Sequence, residues 1–247
     1  MKIIQLNIWQ GRFTEQTKAF IEHEQPDIIC MQEVYSSKLD TPLMPFFNAL
    51  ERIAAILPDY DVYFSPVHKL VILGEDVFYG NAILSRHELK DTETFFIHGQ
   101  YAEIDTVEQM DSNIRNMQRA GIELPDGKQM TIINHHGYWE PNEVGSEITV
   151  DRMQKVADVI KDSPRPLVFA GDLQIISRSP AMKPIHEQLR DLTDEYNLPT
   201  TLSSFGKVKN VACDHICVSE EIKVRSFSAS DILVSDHLAL ILEFDVV

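Results

Sequence analysis

Leu167-Val168-Phe169-Ala170-Gly171-Asp172 is a run of apolar and small residues halted by an acid. It is too short for a helix and reads as a buried strand, in which Gly171 lets the backbone bend or approach a neighbour as the carboxylate is reached. The arrangement recurs. Asn7 ends Ile3-Ile4-Gln5-Leu6, Glu33 follows Ile28-Ile29-Cys30-Met31-Gln32, and His135-His136 follow Met130-Thr131-Ile132-Ile133-Asn134. Asp214-His215 interrupt Val211 to Val218, and Ser235-Asp236-His237 precede Leu238-Ala239-Leu240-Ile241-Leu242. A polar group ending a buried strand is costly unless it is paired or used, so the recurrence points to a common rim.

Around these strands the pattern alternates. Strands are predicted over 2–8, 27–33 and 60–64 (closed by Pro66), with helices over 14–24 and 43–57. Leu43, Phe46, Phe47, Leu50, Ile53, Ala54 and Leu57 repeat at helical spacing in the second helix. Consecutive strands then follow over 78–84, 89–97, 101–106, 112–124 and 128–135, the last two joined by Pro125-Asp126-Gly127, a hairpin signal. A third helix covers 151–161, starting near Ser146, with Val150, Met153, Val156, Ala157 and Ile160 on one face. Strand 166–171, helix 181–190 and strands 212–218, 222–229 and 237–245 complete the chain. Helices between strands together with hairpin-like pairs argue for a mixed α/β arrangement. So many strands favour two mixed β-sheets packed face to face with helices on the outside, in a single domain over residues 1–247, since no linker-like tract divides them.

The composition, 44 % hydrophobic and 24 % charged over 247 residues, is that of an ordinary globular chain. No apolar stretch reaches membrane-spanning length, and the N-terminus reads as a strand rather than a signal peptide. Cys30, Cys213 and Cys217 sit in apolar runs, an odd, buried set expected to be reduced thiols in the cytoplasm. A zinc site at Cys213-x3-Cys217 lacks a second ligand pair. The net charge of −16 disfavours a nucleic-acid partner, because phosphate contacts supply most of that affinity. Arg178, Lys183, Lys207 and Lys209 are the residues from which a local basic rim would be built. Oligomeric state is not legible.

Taken as one set, Asn7, Glu33, His136, Asp172, Asp214, Asp236 and His237 offer carboxylates, an amide and imidazoles without a thiolate. That hard-oxygen environment suits Mg²⁺, with Mn²⁺ as substitute, rather than zinc. These are the parts for metal-assisted hydrolysis of a phosphate ester: a carboxylate to orient or deprotonate water, and imidazolium groups to hold developing charge.

In order along the chain, Leu6-Asn7, Gln32-Glu33-Val34, Gly80-Asn81-Ala82-Ile83-Leu84-Ser85-Arg86, Asn134-His135-His136, Gly171-Asp172-Leu173-Gln174, Asp214-His215-Ile216 and Ser235-Asp236-His237 resemble the endonuclease/exonuclease/phosphatase (DNase I-like) superfamily. The resemblance spans residue 3 to about 243, and its strength lies in the order of the motifs. It implies a four-layer α/β sandwich and Mg²⁺-dependent phosphoester hydrolysis at the rim. By the same resemblance Glu33 is the principal metal ligand, Asn7 lies close to metal and phosphate, and Asp236 is a direct or water-mediated ligand. Asp172 orients or deprotonates the attacking water, His237 contacts the scissile phosphate and is oriented by Asp214, and His136 stabilises the phosphorane or leaving group. Asn81 has a supporting place. Gln174 departs from the usual asparagine; one methylene longer, it reaches a phosphate only if its loop shifts.

The leading expectation is a cytoplasmic phosphoesterase acting on a small or lipid-derived phosphate mono- or diester. A DNA or RNA nuclease or repair phosphodiesterase of the same superfamily is the alternative, and a catalytically silent binding domain is the third. His135 and His215 read as structural. Trp139 reads equally as a substrate platform or a loop anchor.

Overall fold

The computed structural model describes residues 1–42, 44–106, 109, 113–124, 127–206 and 210–247. Leu43 of the second predicted helix, Pro125-Asp126 of the hairpin signal, and Lys207 and Lys209 of the basic rim lie outside the described residues.

Two mixed sheets face each other. In the order of their hydrogen bonding, the first comprises β12 (Ile222–Ala229), β13 (Leu240–Val246), β1 (Lys2–Asn7), β2 (Ile28–Ser37), β4 (Glu75–Ser85), β3 (Asp61–Ile72) and β6 (Ala102–Glu103). The second comprises β10 (Arg190–Asp191), β11 (Asp214–Val218), β9 (Leu167–Asp172), β8 (Gln129–His136), β7 (Arg115–Glu123) and β5 (Leu89–His98). β1 and β2 run parallel, as do β8 and β9, while β1 pairs antiparallel with β13 and β9 with β11.

Strand periodicity builds the layers. Ile3 faces the inter-sheet core, with Val168, Ala170, Ile132 and Ile216 opposite. The alternate residues Ile4 and Leu6 pack outward with Phe20, Ile21, Leu50 and Ile53 of α1 (Thr14–Glu24) and α2 (Ala49–Ala54). Ile133, Leu167 and Phe169 pack outward with Met153, Val156 and Ile160 of α3 (Glu147–Lys161) and with Ile185 of α4 (Lys183–His186). Each central strand is therefore apolar on both faces because each sheet is covered twice, and the result is a four-layer α/β sandwich. Phe169 is fully buried in the outer layer; truncating such a ring to alanine costs about 3–5 kcal/mol. Among the described residues no helix is long and apolar enough to cross a membrane.

Several sequence expectations are corrected. The 43–57 helix is helical only over α2, because Pro45 lacks a donor and restrains Met44, while Phe46 and Phe47 turn onto the Tyr35 ring, the latter at 5.0 Å between centroids. Phe47, Leu50, Ile53 and Leu57 are core nonetheless, all of them buried. The 181–190 helix shrinks to a 3-10 turn at Pro180–Met182 and α4. β3 does not stop at Pro66: it runs on to Ile72 through a bulge between Pro66 and His68, as an edge-side proline permits. It then returns as β4 through Leu73 and Gly74, both at positive φ (52° and 85°). Without an Asn-Gly or Asp-Gly signal this hairpin is invisible in sequence. In α3, Ser146 caps the helix as expected, its Oγ accepting from Ile148 N. Thr149, not Val150, completes the buried stripe with Met153, Val156 and Ile160. The predicted 101–106 strand is only β6, and the last strand begins at Leu240, leaving Asp236 and His237 in the preceding loop.

Candidate active site

The same period-two alternation that makes the core also makes the site. Along β1 the inward positions are Ile3, Gln5 and Asn7; along β8 they are Met130, Ile132, Asn134 and His136; along β9 they are Val168, Ala170 and Asp172. Asp214 is the first inward residue of β11 and pairs in register with Asp172, which pairs on its other side with His136. Asn7, His136, Asp172 and Asp214 are thus the last inward positions at one edge of the sandwich. Gly171 makes the β8–β9 approach possible, since a Cβ there would lie 2.0 Å from the His135 carbonyl oxygen.

Glu33 breaks the rule instructively. Simple alternation would turn it outward, after inward Cys30 and Gln32. The β2–β4 register slips between Met31 and Val34, and Glu33 takes φ +58°. The bulge re-aims the carboxylate toward Asn7, which hydrogen-bonds to it, and toward His237, which acts on it electrostatically. A left-handed glutamate is strained, as functional positions often are.

Asp172 is the hub. It is fully buried, and its Oδ2 accepts from Asn7 Nδ2 (3.0 Å) and Gln174 Nε2 (2.6 Å). His136 Nε2 and His237 Nε2 lie 3.6 and 3.7 Å from the same oxygen. Burial, reinforced by Asp214 and Glu33 against the pull of His237, pushes the Asp172 carboxyl up to about 7. Gln174, held at φ +62°, donates its backbone N–H to Asp172 Oδ1 and puts its amide 3.3 Å from His136 Nε2. Asn81 is set back, its amide donating to Asn116 Oδ1 (2.7 Å).

His237 and Asp214 form a buried dyad, Nδ1 to Oδ2 at 2.8 Å. Burial opposes charge on the ring, yet Asp214 and Asp172 hold its pKa well above the ordinary value. His136 goes the other way, driven well below by burial and then by Arg115. The surroundings thus favour charge on His237 and disfavour it on His136.

Asp172, Cys213, Asp214 and His237 bring their ligand-type atoms within 4.8 Å of one another, but chemistry argues against a metal among them. Asp214 is saturated: Oδ1 accepts from Gln5 Nε2 (3.0 Å), and Oδ2 accepts from Thr201 Oγ1 (2.6 Å), the Cys213 thiol (3.7 Å) and the ring of His237. Burial and the adjacent carboxylates keep the Cys213 thiol protonated, which makes it a donor rather than a thiolate ligand. Glu33, Asp172 and Asp236 offer oxygen donors of the kind a hard divalent cation takes. Glu33, Asp172 and Asp236 are all raised above the usual carboxylate range, first by burial and then by neighbouring carboxylates, so the cluster is short of positive charge. Asn7 Oδ1 accepts from Trp9 N (2.9 Å), and an amide oxygen has a second lone pair beyond that bond.

Sequence reasoning missed the amides beneath the rim. Gln118 Nε2 donates to Tyr63 O, Asn134 Nδ2 to Gln118 Oε1, Gln32 Nε2 to Asn134 Oδ1, and Gln5 Nε2 to both Gln32 Oε1 and Asp214 Oδ1. This chain crosses the sandwich through fully buried residues and ends on the aspartate behind His237. Its signal was available, since Gln5 and Gln32 are polar at inward positions of otherwise apolar strands.

Two clefts, of about 610 and 670 Å³, share a wall formed by Trp139, Glu140, Pro141 and Gln174. His237 and Asp236 line the first, together with Trp9, Arg12 and Phe205. Glu33 and His136 line the second, together with His68, Tyr79 and Arg115. The backbone of Trp139 is anchored at both N and O by Asn113, while its ring stays exposed over the clefts. Arg178 and Lys183 line neither cleft; among the described residues the cations lining the clefts are Arg12 and Arg115, which no local motif announced. His215 is structural as expected, its ring bound by Asp191 Oδ2 (3.0 Å) and donating to Ile175 O (2.8 Å).

The sequence matches the Endonuclease/Exonuclease/phosphatase family over residues 4–237. No match was found among curated protein sequences. Similar solved structures include an endonuclease/exonuclease/phosphatase from Bacteroides vulgatus (20 % identity, TM-score 0.71, covering 100 % of this chain and 98 % of that one). A mannosyl-6-phosphatase from Bacteroides thetaiotaomicron is 17 % identical, with TM-score 0.72 and 99 % of each chain covered. The catalytic domain of human nocturnin with bound sulfate is 17 % identical, with TM-score 0.71, covering 100 % and 94 %. At these identities the likeness is one of fold.

Proposed function

We infer the function of this protein from one premise, that the chain belongs to the Endonuclease/Exonuclease/phosphatase family, whose members are metal-dependent hydrolases of phosphoester bonds. The reading is a Mg²⁺-dependent phosphoesterase, Mn²⁺ being able to substitute, that acts on a small or lipid-derived phosphate ester. Glu33, Asn7 and Asp236 would hold the cation, which supplies Lewis-acid neutralisation of the phosphoryl oxygens when bound.

The rest falls to the side chains. Asp172, with a carboxyl near neutrality, accepts the proton of the attacking water as its oxygen bonds to phosphorus. Asn7 and Gln174 fix that carboxylate. His237, kept charged by Asp214, faces the oxygens on which charge accumulates, and neutral His136 adds a hydrogen bond with Gln174 beside it. The ester P–O bond breaks, and the departing oxygen takes a solvent proton through the open cleft. A compact substrate is favoured because clefts of about 610 and 670 Å³ flank the site in a chain of net charge −16.

The observation that carries this reading is the convergence of Asn7, His136, Gln174 and His237 on the one buried carboxylate of Asp172. Hydrolysis of p-nitrophenyl phosphate and bis-p-nitrophenyl phosphate with Mg²⁺ or Mn²⁺ tests it. Activity is expected in the native chain and lost in Asp172→Asn with the fold intact; equal rates in the two proteins would refute it.

A further inference from the structure

Asp214 and His215 stand side by side on β11 and face opposite ways. Asp214 turns inward to His237 (2.8 Å). His215 turns outward, as Cys217 does, is fully buried and lines neither cleft. Opposite it in register is Gly171, and the chain leaving β9 folds back over the ring, so that His215 Nε2 donates to Ile175 O at 2.8 Å. Asp191 Oδ2 takes Nδ1 at 3.0 Å. A carboxylate and a carbonyl can only accept, so both ring nitrogens carry protons and the ring is fixed at both ends. Asp191 is held in its turn: its Oδ1 accepts from Thr193 N (3.0 Å), and the Thr193 hydroxyl donates to Asp214 O (3.0 Å).

Between β9 and this contact lies Gln174, whose φ of +62° is a conformation that a glutamine keeps only when its surroundings impose it. Leu173 and Ile175 on either side are buried in the outer apolar layer. Packing of that kind is non-directional: it draws the two side chains in without fixing the peptide planes between them. Hydrogen bonds supply the direction. Leu173 N donates to Cys213 O (2.8 Å) and Ile176 N to Glu143 O (2.9 Å), both between backbones. The third, to Ile175 O, comes from the His215 side chain. We propose that His215 is a positioning residue for the hydrolytic site, acting through Ile175 O to keep Gln174 in the backbone conformation from which its amide reaches Asp172 Oδ2 (2.6 Å) and His136 Nε2 (3.3 Å). The two faces of one dipeptide on β11 then serve the same carboxylate, Asp214 through His237 and His215 through Gln174. The effect on rate rests on the proposed hydrolase function; the effect on the Gln174 backbone does not.

Two amide variants separate the bonds that His215 makes. In His215→Gln the side-chain nitrogen reaches the place of Nε2 and still donates to Ile175 O. In His215→Asn, one methylene shorter, it reaches only the place of Nδ1, toward Asp191. Both remove the charge of the ring, so both should lose stability in denaturant titrations. On p-nitrophenyl phosphate or bis-p-nitrophenyl phosphate with Mg²⁺, kcat should fall on the order of tenfold or more in His215→Asn with KM little changed, and stay within a fewfold of native in His215→Gln. Equal losses in the two variants, or none in His215→Asn, overturn the assignment. In a Gln174→Ala background the two should no longer differ; a persisting difference shows that His215 does not act through Gln174 and also overturns it. The His136 ring nitrogens, followed by NMR in the metal-free protein, read the same geometry without turnover. The Nε2 signal should move in His215→Asn and hold its place in His215→Gln. No movement in His215→Asn overturns the positioning role even if no ester is hydrolysed, whereas movement without any hydrolysis by the native chain supports that role and defeats only the proposed function. If His215→Asn does not fold, Asp191→Leu/His215→Phe, which removes the pair without stranding a charge, takes its place; the same loss of kcat is expected, and a native kcat overturns the role.

Discussion

His237 Nδ1 lies 2.8 Å from Asp214 Oδ2, an oxygen that also accepts from Thr201 and Cys213 while its twin accepts from Gln5. The aspartate is thereby fixed by four donors, and it raises the pKa of the buried ring it holds. Replacing Asp214 with Asn keeps the shape but removes the charge. His237 should then titrate lower by NMR, and kcat should fall by on the order of a hundredfold or more, with KM moving far less. A His237 titration unchanged in Asp214→Asn would show that the dyad does not set its charge.

Cation binding should release protons and weaken as pH falls. Glu33, Asp172 and Asp236 are all raised, Asp172 to about 7, so below neutrality protons occupy the cluster a cation needs deprotonated. Calorimetric titration of Mn²⁺ in buffers of different ionisation enthalpy should show proton release near neutral pH. Affinity that is flat from mildly acidic to mildly alkaline solution would contradict this picture.

Gln174→Asn restores the family's usual residue yet is expected to harm this enzyme. The Gln174 amide reaches Asp172 Oδ2 at 2.6 Å from a left-handed backbone, and an asparagine at that Cα falls short by one methylene. Misplacement of about 1 Å costs roughly a hundredfold in rate. A kcat equal to that of the native chain would show that the loop adapts to either amide.

Behind the Gln174 loop, His215 and Asp191 form a buried charged clamp, joined at 3.0 Å and tied to the loop through Ile175 O. Burial opposes the charge on His215, but Asp191 raises its pKa overall. Burial likewise opposes ionised Asp191, but His215 and His186 bring it far below the usual range. The signs are opposite. The raised histidine stabilises below about 6.5 and loses that contribution as pH climbs through its folded value; the depressed aspartate stabilises above about 3.9 and loses it as pH falls. Denaturant titrations should therefore show the clamp contributing most in mildly acidic solution. Asp191→Asn, which strands a buried imidazolium, should cost about 3–5 kcal/mol there.

Much of the layered body was legible because both sheets are covered twice, so central strands such as Leu167–Asp172 are apolar throughout and end abruptly. The three free, buried thiols and the Ser146 cap followed from local pattern in the same way. What escaped was non-local. The β3–β4 hairpin turns on Leu73 and Gly74 without the usual residues. The contact of Phe46 and Phe47 with the Tyr35 ring, ahead of the shortened helix, lies between residues distant from the helical pattern. Arg115 and His68 look like isolated surface polar residues until β3 and β7 are brought to one cleft.

The sequence by itself determined which residues face inward at the strand ends, since side-chain alternation is a property of each strand alone: Asn7, His136, Asp172 and Asp214 could be named without a partner strand. Only the tertiary structure decided their electrostatic roles and the company they keep. The bulge that turns Glu33 inward arises from its pairing with β4. The opposite pKa shifts of His237 and His136 depend on desolvation and on which carboxylate or guanidinium lies nearby. Those quantities are fixed when two sheets close over one another, because burial and distance belong to the pair of surfaces and to neither strand alone.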